Sequence, residues 1–379
     1  MTLKIGSLFS GYGGLDLGVM DVLNSEVAWH CEFDESPSKI LDHHWPTVPN
    51  YRDVRDVDWN TVEPVDILTG GFPCQDVSLA GNRRGLKEGT RSGLWSEFAK
   101  AIQHIEPRLV IIENVRGLLS ARADSGVEYP RELLEYAGTR PILNAAAAVL
   151  GDLADLGFDA RWATIRASDA GAAHRRERVF IVAYPNSVGG GRWSTSSGGC
   201  QSGREFLETW VADNGHGRTH PTETSQHANT DGIGLSLGSD GRGSGRRKGE
   251  SQSLTPALGE AITDAGGSGR DEGSITSNGG TEIQDGSDMA NERRHDYSRG
   301  IQWGDYGQAI QRWEHTIGRP APDPTIDGKL SPIFVEWLMG LQPGWVTNPD
   351  IGIKRNDQLK ALGNGVVPQQ ASLALRTLL

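Results

Sequence analysis

Short apolar segments alternate with helical segments through the first half of the chain, and this alternation constrains the fold more than any other feature. Each apolar run has the length and composition of a buried strand. Strands that alternate with helices predict a doubly wound α/β fold, in which helices cover both faces of a mostly parallel sheet. The predicted strands are residues 3–9, 27–31, 65–69, 109–112 and 178–183, and the predicted helices are residues 15–22, 92–105 and 143–156.

The composition changes after residue 185. From residue 186 to residue 318, Gly, Ser, Thr, Asn and Asp dominate and apolar periodicity nearly vanishes, which is typical of irregular or partly disordered segments. Helical patterns return in residues 330–345 and after Pro368. We expect segments 1–185 and 319–379 to form one domain, with the final helix, including Asn364 and Val366, packed beside the N-terminal glycine turn.

The overall composition argues against several classes of protein. Three cysteines in 379 residues are too few for a disulfide framework, so we expect a reducing compartment. The sequence shows neither a secretory leader nor a long apolar run, and we expect a cytoplasmic protein with no membrane partner. The net charge of −12 is only a weak argument against a nucleic-acid partner, because a local basic surface binds phosphates whatever the average charge. No His/Cys cluster has metal-ligand spacing, so no metal site is expected.

Cys74 follows Pro73 directly after the strand predicted at residues 65–69. The C-terminal edge of a strand is where ligands bind in open α/β sheets, and proline stiffens the loop there. A cysteine is often only a small, inert core residue, and we interpret Cys31 and Cys200 in that way. For Cys74 the position favours a nucleophile.

A glycine-rich turn follows the first predicted strand. Gly11, Gly13 and Gly14 allow backbone to approach a ligand closely, although a tight turn without a ligand has the same composition. The spacing differs from the G-x-G-x-x-G pattern, which argues against NAD. Glu32 ends the second predicted strand, where a carboxylate can accept hydrogen bonds from ribose hydroxyls.

Two further residues complete a predicted adenosine pocket. Phe33 can pack against an adenine ring. Asp53 is expected at the end of a strand, where it can accept a hydrogen bond from the adenine amino group. Taken alone, Asp53 is better explained as a solvated charge, and only together with the turn and Glu32 does it describe a pocket.

Charged residues also end the strongest strands. Glu113 follows the apolar run 109–112 and is expected beside Cys74, although a helix cap or an ordinary salt bridge would place a carboxylate there too. Arg176 and Arg178 lead into the last strand, and strand alternation would point them to the same side. On spacing alone, a solvated, charged entry to the strand explains both arginines better. Glycines and cations in residues 76–91 predict a mobile loop that closes over phosphates.

These blocks, in this order, resemble those of the DNA cytosine-C5 methyltransferases. The Pro-Cys-Gln and Glu-Asn-Val pair is the most specific part of the match, which covers residues 1–185 and about 319–379. Residues 186–318 fall where the family carries its variable target-recognition domain. His174 stands where the family often has Gln, and Gly365 stands where it usually has Ser. The matching blocks are residues 9–14, Glu32, Asp53, and residues 71–75, 91–95, 113–115, 175–178 and 363–366.

The resemblance implies a Rossmann-like, S-adenosyl-L-methionine-dependent methyltransferase fold with a smaller, irregular target-recognition domain. It implies that Cys74 attacks C6 of a cytosine turned out of double-stranded DNA, while Glu113 holds the ring at N3 and the amino group. Arg176 is expected at the O2 side of the ring, and Arg178 near the thiol. The implied cofactor-binding residues are Phe9, Gly11, Gly13, Gly14, Glu32, Phe33, Asp53, Val54, Pro73, Asn364 and Val366. The implied DNA-binding loop contains Gln75, Ser78, Arg83, Arg84, Lys87 and Arg91.

Three other functions fit parts of the pattern. An RNA cytosine-C5 methyltransferase would share the scaffold, but relatives that act on tRNA resemble this layout with a shorter insert. A catalytically inactive DNA-binding relative would have little reason to keep Cys74, Glu113 and Arg176. A cytidylate hydroxymethylase would use the thiol but lack the adenosine pocket and the insert. The resemblance further implies a monomer, and it leaves open whether the enzyme is paired with a cognate restriction endonuclease or is an orphan or phage enzyme.

Overall fold

The computed structural model describes residues 2–73, 93–120, 145–186, 212, 301 and 303–379. A six-stranded sheet forms its centre, and a two-stranded hairpin lies near the C-terminal end. The strands are β1 (Leu3–Leu8), β2 (Ser25–Cys31), β3 (Ile67–Gly70), β4 (Leu109–Val115), β5 (Phe158–Arg166), β6 (Glu177–Pro185), β7 (Thr325–Ile326) and β8 (Lys329–Leu330). The helices are α1 (Gly14–Val22), α2 (Glu35–His44), α3 (Leu94–Ile105), α4 (Ala145–Asp155), α5 (Gly307–Ile317), α6 (Pro332–Leu338), α7 (Arg355–Asn364) and α8 (Pro368–Leu378).

The sheet is mostly parallel, with the strand order β2-β1-β3-β4-β6-β5. Strands β2, β1, β3 and β4 pair in parallel, and β6 runs antiparallel to both of its neighbours, β4 and β5. Helices lie on both faces because residues along each strand point alternately to either side. On one face α3 and α4 bury Phe98 and Val149, and on the other α1 and α8 bury Val19 and Leu375. The predicted doubly wound α/β fold is confirmed.

The end of the chain packs against its beginning. Helix α8 lies on α1, and the absence of a side chain at Gly18 lets Ala371 and Pro368 approach closely. The C-terminal segment therefore reaches the glycine turn, as expected. Asn364 and Val366 are not part of the final helix, however. Asn364 is the last residue of α7, and Val366 lies in the connection that precedes Pro368.

Several elements differ from the sequence prediction. Strands β5, β7 and β8 and helices α2, α5 and α7 were not predicted, and the helix expected over residues 330–345 ends at Leu338. Asp53 does not end a strand. It caps the 3₁₀ turn Val54–Asp56, because its side chain accepts a hydrogen bond from the backbone N–H of Arg55. Apart from residue 212, the region 187–300 lies outside the described residues. Among the helices that are described, none is both long and apolar enough to cross a bilayer.

Candidate active site

The glycine turn joins β1 to α1 through three residues with positive φ. Gly11 and Gly13 have φ values of 57° and 83°, which glycine adopts without strain. Phe9 also lies in the left-handed region, with φ of 52°, and its N–H donates to the carbonyl of Cys31 at 2.9 Å. An added Cβ on Gly11 would meet no atom within 4 Å, so open space lies above the turn. A ligand can therefore approach the backbone here.

Glu32 is fixed beside this turn by backbone hydrogen bonds. One carboxylate oxygen accepts from the N–H of Gly11 and the other from the N–H of Asp34, each at 2.8 Å. Burial raises the pKa of Glu32, and the two N–H donors oppose that increase. The neighbouring ring of Phe33 is 64% exposed, so it offers a flat apolar surface at the same strand end.

A cleft of about 140 Å³ lies between the glycine turn, the start of α2 and helix α7. An ion pair joins two of its walls, with 3.0 Å between Lys360 Nζ and Asp34 Oδ2. The cleft thus brings together residues that are hundreds of positions apart in the sequence. Its lining residues are Gly11, Asp34, Glu35, Ser36, Pro37, Asp357, Lys360, Ala361 and Asn364.

Asp53 caps the 3₁₀ turn Val54–Asp56, and its carboxylate is bound by a residue of that same turn. Its carboxylate pairs with Arg55 at 2.6 Å, and this hydrogen bond lowers the pKa of Asp53. The segment that contains Arg52 and Asp53 lies beside the end of β2, and the thiol of Cys31 on β2 donates to the carbonyl of Arg52 at 3.4 Å. Burial raises the pKa of Cys31 to about 12, so this thiol stays protonated at neutral pH.

A second group of polar residues lies at the adjacent strand ends. Glu113 is buried in β4, and its carboxylate accepts from Nε of Arg178 on β6 at 2.9 Å. Burial raises the pKa of Glu113, although the charges of Arg178 and Arg176 oppose the increase. This pair is an ion pair largely removed from water, in which each charge depends on the other.

The segment that leads to Cys74 contacts the same carboxylate. An added Cβ on Gly71 would lie 3.1 Å from Oε2 of Glu113, so the backbone passes directly beside it. The side chain of Asn114 donates to the carbonyl of Phe72 at 2.9 Å and fixes the segment against β4. The described chain then ends at Pro73, one residue before Cys74.

The two arginines have different hydrogen-bond partners. Arg176 precedes β6 with φ of 31°, so strand alternation does not apply to it. Its Nη2 donates to the carbonyls of Gly363, at 2.8 Å, and Gly365. Burial lowers the pKa of Arg176 to about 10, which leaves it charged at neutral pH. Arg176 therefore binds the C-terminal segment, whereas Arg178 contacts Glu113.

Comparison with known sequences decides the family. A sequence model described as C-5 cytosine-specific DNA methylase matches residues 3–192, half of the 379 residues. The chain belongs to this family. The matched part of the chain contains the whole six-stranded sheet, the glycine turn, Glu32, Glu113 and Arg178.

The chain is similar to curated Type II methyltransferases over the same half. It is 28% identical to M.Bsp6I of Bacillus sp. (strain RFL6) over 48% of this chain and 53% of that protein. It is 28% identical to M.Sau3AI of Staphylococcus aureus over 49% of this chain and 44% of that protein. It is 32% identical to M.HgiBI of Herpetosiphon aurantiacus over 46% of this chain and 36% of that protein. The chain thus spans about half or less of the length of these relatives.

The structure brings some predicted residues together, and others lie outside its described part. Gly11 and Asn364 line one cleft with Glu32 adjacent, and Glu113 and Arg178 form the neighbouring ion pair. Within the described ranges, no group of three or more His, Cys, Asp or Glu side chains could hold a metal ion. The predicted residues outside the described part are Cys74, Gln75, Ser78, Arg83, Arg84, Lys87 and Arg91.

Sequence reasoning assigned no role to three residues that shape this site. Asp34 and Lys360 form the ion pair across the cleft, and Tyr12 lies buried within the glycine turn. A signal existed for Tyr12, because a large ring is unusual between glycines. A signal also existed for Lys360, because it lies one helical turn before Asn364, which belongs to the last matching block.

Proposed function

We propose that this chain is a DNA cytosine-C5 methyltransferase that methylates cytosine in double-stranded DNA through a covalent adduct with Cys74. The observation that carries the proposal is the buried Glu113–Arg178 pair, which lies against the segment leading to Cys74. A carboxyl group and a guanidinium in one buried site provide hydrogen-bonding groups for one polar edge of a pyrimidine, and the thiol supplies the nucleophile.

The cleft beside the glycine turn is the site that we propose for S-adenosylmethionine. Glu32 presents a carboxylate fixed by two backbone donors, suited to ribose hydroxyls, and the exposed ring of Phe33 is suited to adenine. Gly11 and Asn364 would line the rest of the site. When bound, the cofactor supplies an electrophilic methyl group.

The thiolate of Cys74 would add to C6, because cytosine C5 is a poor nucleophile until this addition makes the ring enamine-like. Electron density that moves into the ring during the addition needs a proton or a hydrogen-bond donor at N3. Burial raises the pKa of Glu113 against the opposing charges of Arg178 and Arg176, so its carboxyl group is suited to take up a proton and share it with N3 as the adduct forms. Once C5 carries the methyl group, a water molecule or other base would take the C5 proton, the C5–H electrons would re-form the C5–C6 double bond, and the C6–S bond would break to release Cys74 as a thiolate.

We assign the O2 side of the ring to Arg178 rather than to Arg176. Arg178 contacts Glu113 directly, so a base held by Glu113 would lie within its reach. The Nη2 of Arg176 is instead bound to Gly363 and Gly365. We therefore infer that Arg176 orders the C-terminal segment and does not touch the base.

C6 is inaccessible in a stacked duplex, so the cytosine must turn out of the helix at a cost of a few kcal/mol. The cations of the predicted loop 76–91 would bind the phosphates around the displaced base. The Type II names of the relatives support a restriction–modification context. We propose that the protein acts as a cytoplasmic monomer with a restriction endonuclease as its genetic partner.

Transfer of labelled methyl groups to duplex DNA and to tRNA tests the proposal. Wild type should label cytosine C5 in DNA, and Glu113→Gln should slow transfer by about 10²-fold or more. Glu314→Gln is the matched control, since Glu314 is also buried and its side chain accepts from the N–H of Ala321. Labelling of tRNA instead of DNA would identify an RNA enzyme, and cofactor binding without transfer would identify an inactive relative. Either result would overturn the proposal.

A further inference from the structure

Tyr12 joins the glycine turn to the C-terminal segment. Its side chain is 1% exposed, and its hydroxyl donates to the carbonyl of Val366 at 2.6 Å. The backbone carbonyl of Tyr12 accepts from Nε1 of Trp345 at 2.9 Å. The residue is therefore fixed at both ends, between the turn and two parts of the chain more than three hundred positions away.

The ring of Tyr12 also determines which residue can stand at position 365. An added Cβ on Gly365 would overlap the ring. The φ of Gly365 is −77°, which any residue adopts, so the need for glycine is steric and not conformational. On the other side of the contact, a Cβ on Gly14 would overlap the carbonyl of Val366. Tyr12, Gly14 and Gly365 thus form one close-packed contact.

The segment held by Tyr12 is the one that holds Arg176. The carbonyls of Gly363 and Gly365 accept from the guanidinium of Arg176, and Gln370 donates to the backbone carbonyl of Arg176 at 2.7 Å. Two residues further on, Arg178 meets Glu113. A continuous series of contacts therefore runs from the glycine turn, through the segment 363–366, to the ion pair.

We propose that Tyr12 is a positioning residue that couples the cofactor turn to the arginine segment. It touches neither substrate, yet both cofactor affinity and the placement of Arg178 depend on the hydrogen bond to Val366 and on the packing against Gly365. The inference rests on the proposed function, since it names a positioning residue for that reaction.

Tyr12→Phe tests the hydrogen bond with the ring retained. We expect the Kd for S-adenosylmethionine to rise about tenfold and kcat to fall by a similar factor, because the buried Val366 carbonyl loses its donor. Tyr184→Phe, in a buried tyrosine at the far end of β6, is the matched control and should leave both values unchanged. A lower melting temperature with unchanged Kd and kcat would show a purely structural role and overturn the inference.

Gly365→Ala tests the packing in two backgrounds. With Tyr12 present, the added methyl group should weaken cofactor binding by about tenfold or more, because it overlaps the ring. In Tyr12→Ala the same substitution should change the Kd by less than about threefold. Equal effects in both backgrounds would refute the contact as the cause. Failure of wild type to methylate DNA would reject the proposed function but not the coupling, which calorimetric cofactor binding measures without turnover.

Discussion

Replacement of the buried Asp16 by asparagine should change the pH dependence of stability: the free energy of unfolding of the variant, relative to that of wild type, should increase as the pH rises. Asp16 on α1 is fully buried, and its carboxyl group accepts hydrogen bonds from Ser7 at 2.7 Å and Thr69 at 2.6 Å. Burial raises its pKa from 3.8 to about 6, and the two hydroxyl donors offset only part of that increase. The folded protein therefore binds this proton more tightly than the unfolded chain does.

The sign and the magnitude follow from that difference in pKa. A raised pKa in the folded state gives a stability contribution that is complete below pH 3.8 and is lost as the pH rises through about 6. At 1.36 kcal/mol per pH unit, the full loss is about 3 kcal/mol. Between about pH 5 and about pH 8 the loss amounts to about 1.4 kcal/mol. The asparagine side chain of the variant carries no proton to lose, so only wild type should show this dependence.

Urea unfolding followed by tryptophan fluorescence measures the effect. The free energy of unfolding of Asp16→Asn, minus that of wild type, should increase by about 1.4 kcal/mol between about pH 5 and about pH 8. Asp21→Asn removes an exposed carboxyl group from the same helix and should show no such increase. A difference that stays constant with pH, or that falls as the pH rises, would refute the assignment of a burial-dominated carboxyl group.

Three further predictions test the site, and the first has a matched control substitution. Arg178→Met leaves the buried carboxylate of Glu113 without its partner, so urea titration should show a loss of about 3 kcal/mol, whereas Arg116→Met, in the exposed pair with Glu177, should cost less than about 1 kcal/mol. Glu32→Gln leaves one of the N–H groups of Gly11 and Asp34 without an acceptor, and calorimetry should show about tenfold weaker cofactor binding. Cys31→Ala should leave the methylation rate unchanged, because that buried thiol stays protonated; a large loss in the labelling assay would contradict this assignment.

Sequence reasoning found the elements whose signals are local. The run from Leu109 to Ile112 is apolar throughout because both faces of β4 are covered, and such a run indicates a central strand. Strand β5 was missed because it lies at the edge of the sheet, where charged residues such as Arg161 interrupt the apolar pattern. Helix α5 was missed because Ile310 and Trp313 carry its buried face almost alone, within a polar segment.

The parts of the site that depend on long-range contacts could not be predicted in the same way. The position of Glu32 follows from its strand end, and the structure agrees. The environment of Arg176 depends on the carbonyls of Gly363 and Gly365, which no local pattern connects to it. The same applies to Asp53, because its pairing with Arg55 depends on the 3₁₀ turn Val54–Asp56, which the sequence pattern did not predict.

A covalent trap tests the central claim most directly. Duplex DNA made with 5-fluorocytosine in place of cytosine blocks the reaction after methyl transfer, because fluorine cannot leave C5 as a proton does. With cofactor present, wild type and Cys31→Ala should form a denaturation-resistant complex whose adduct maps by mass spectrometry to Cys74, and Cys74→Ala should form none. Methylation of ordinary duplex DNA by Cys74→Ala, or an adduct on another residue, would contradict the account.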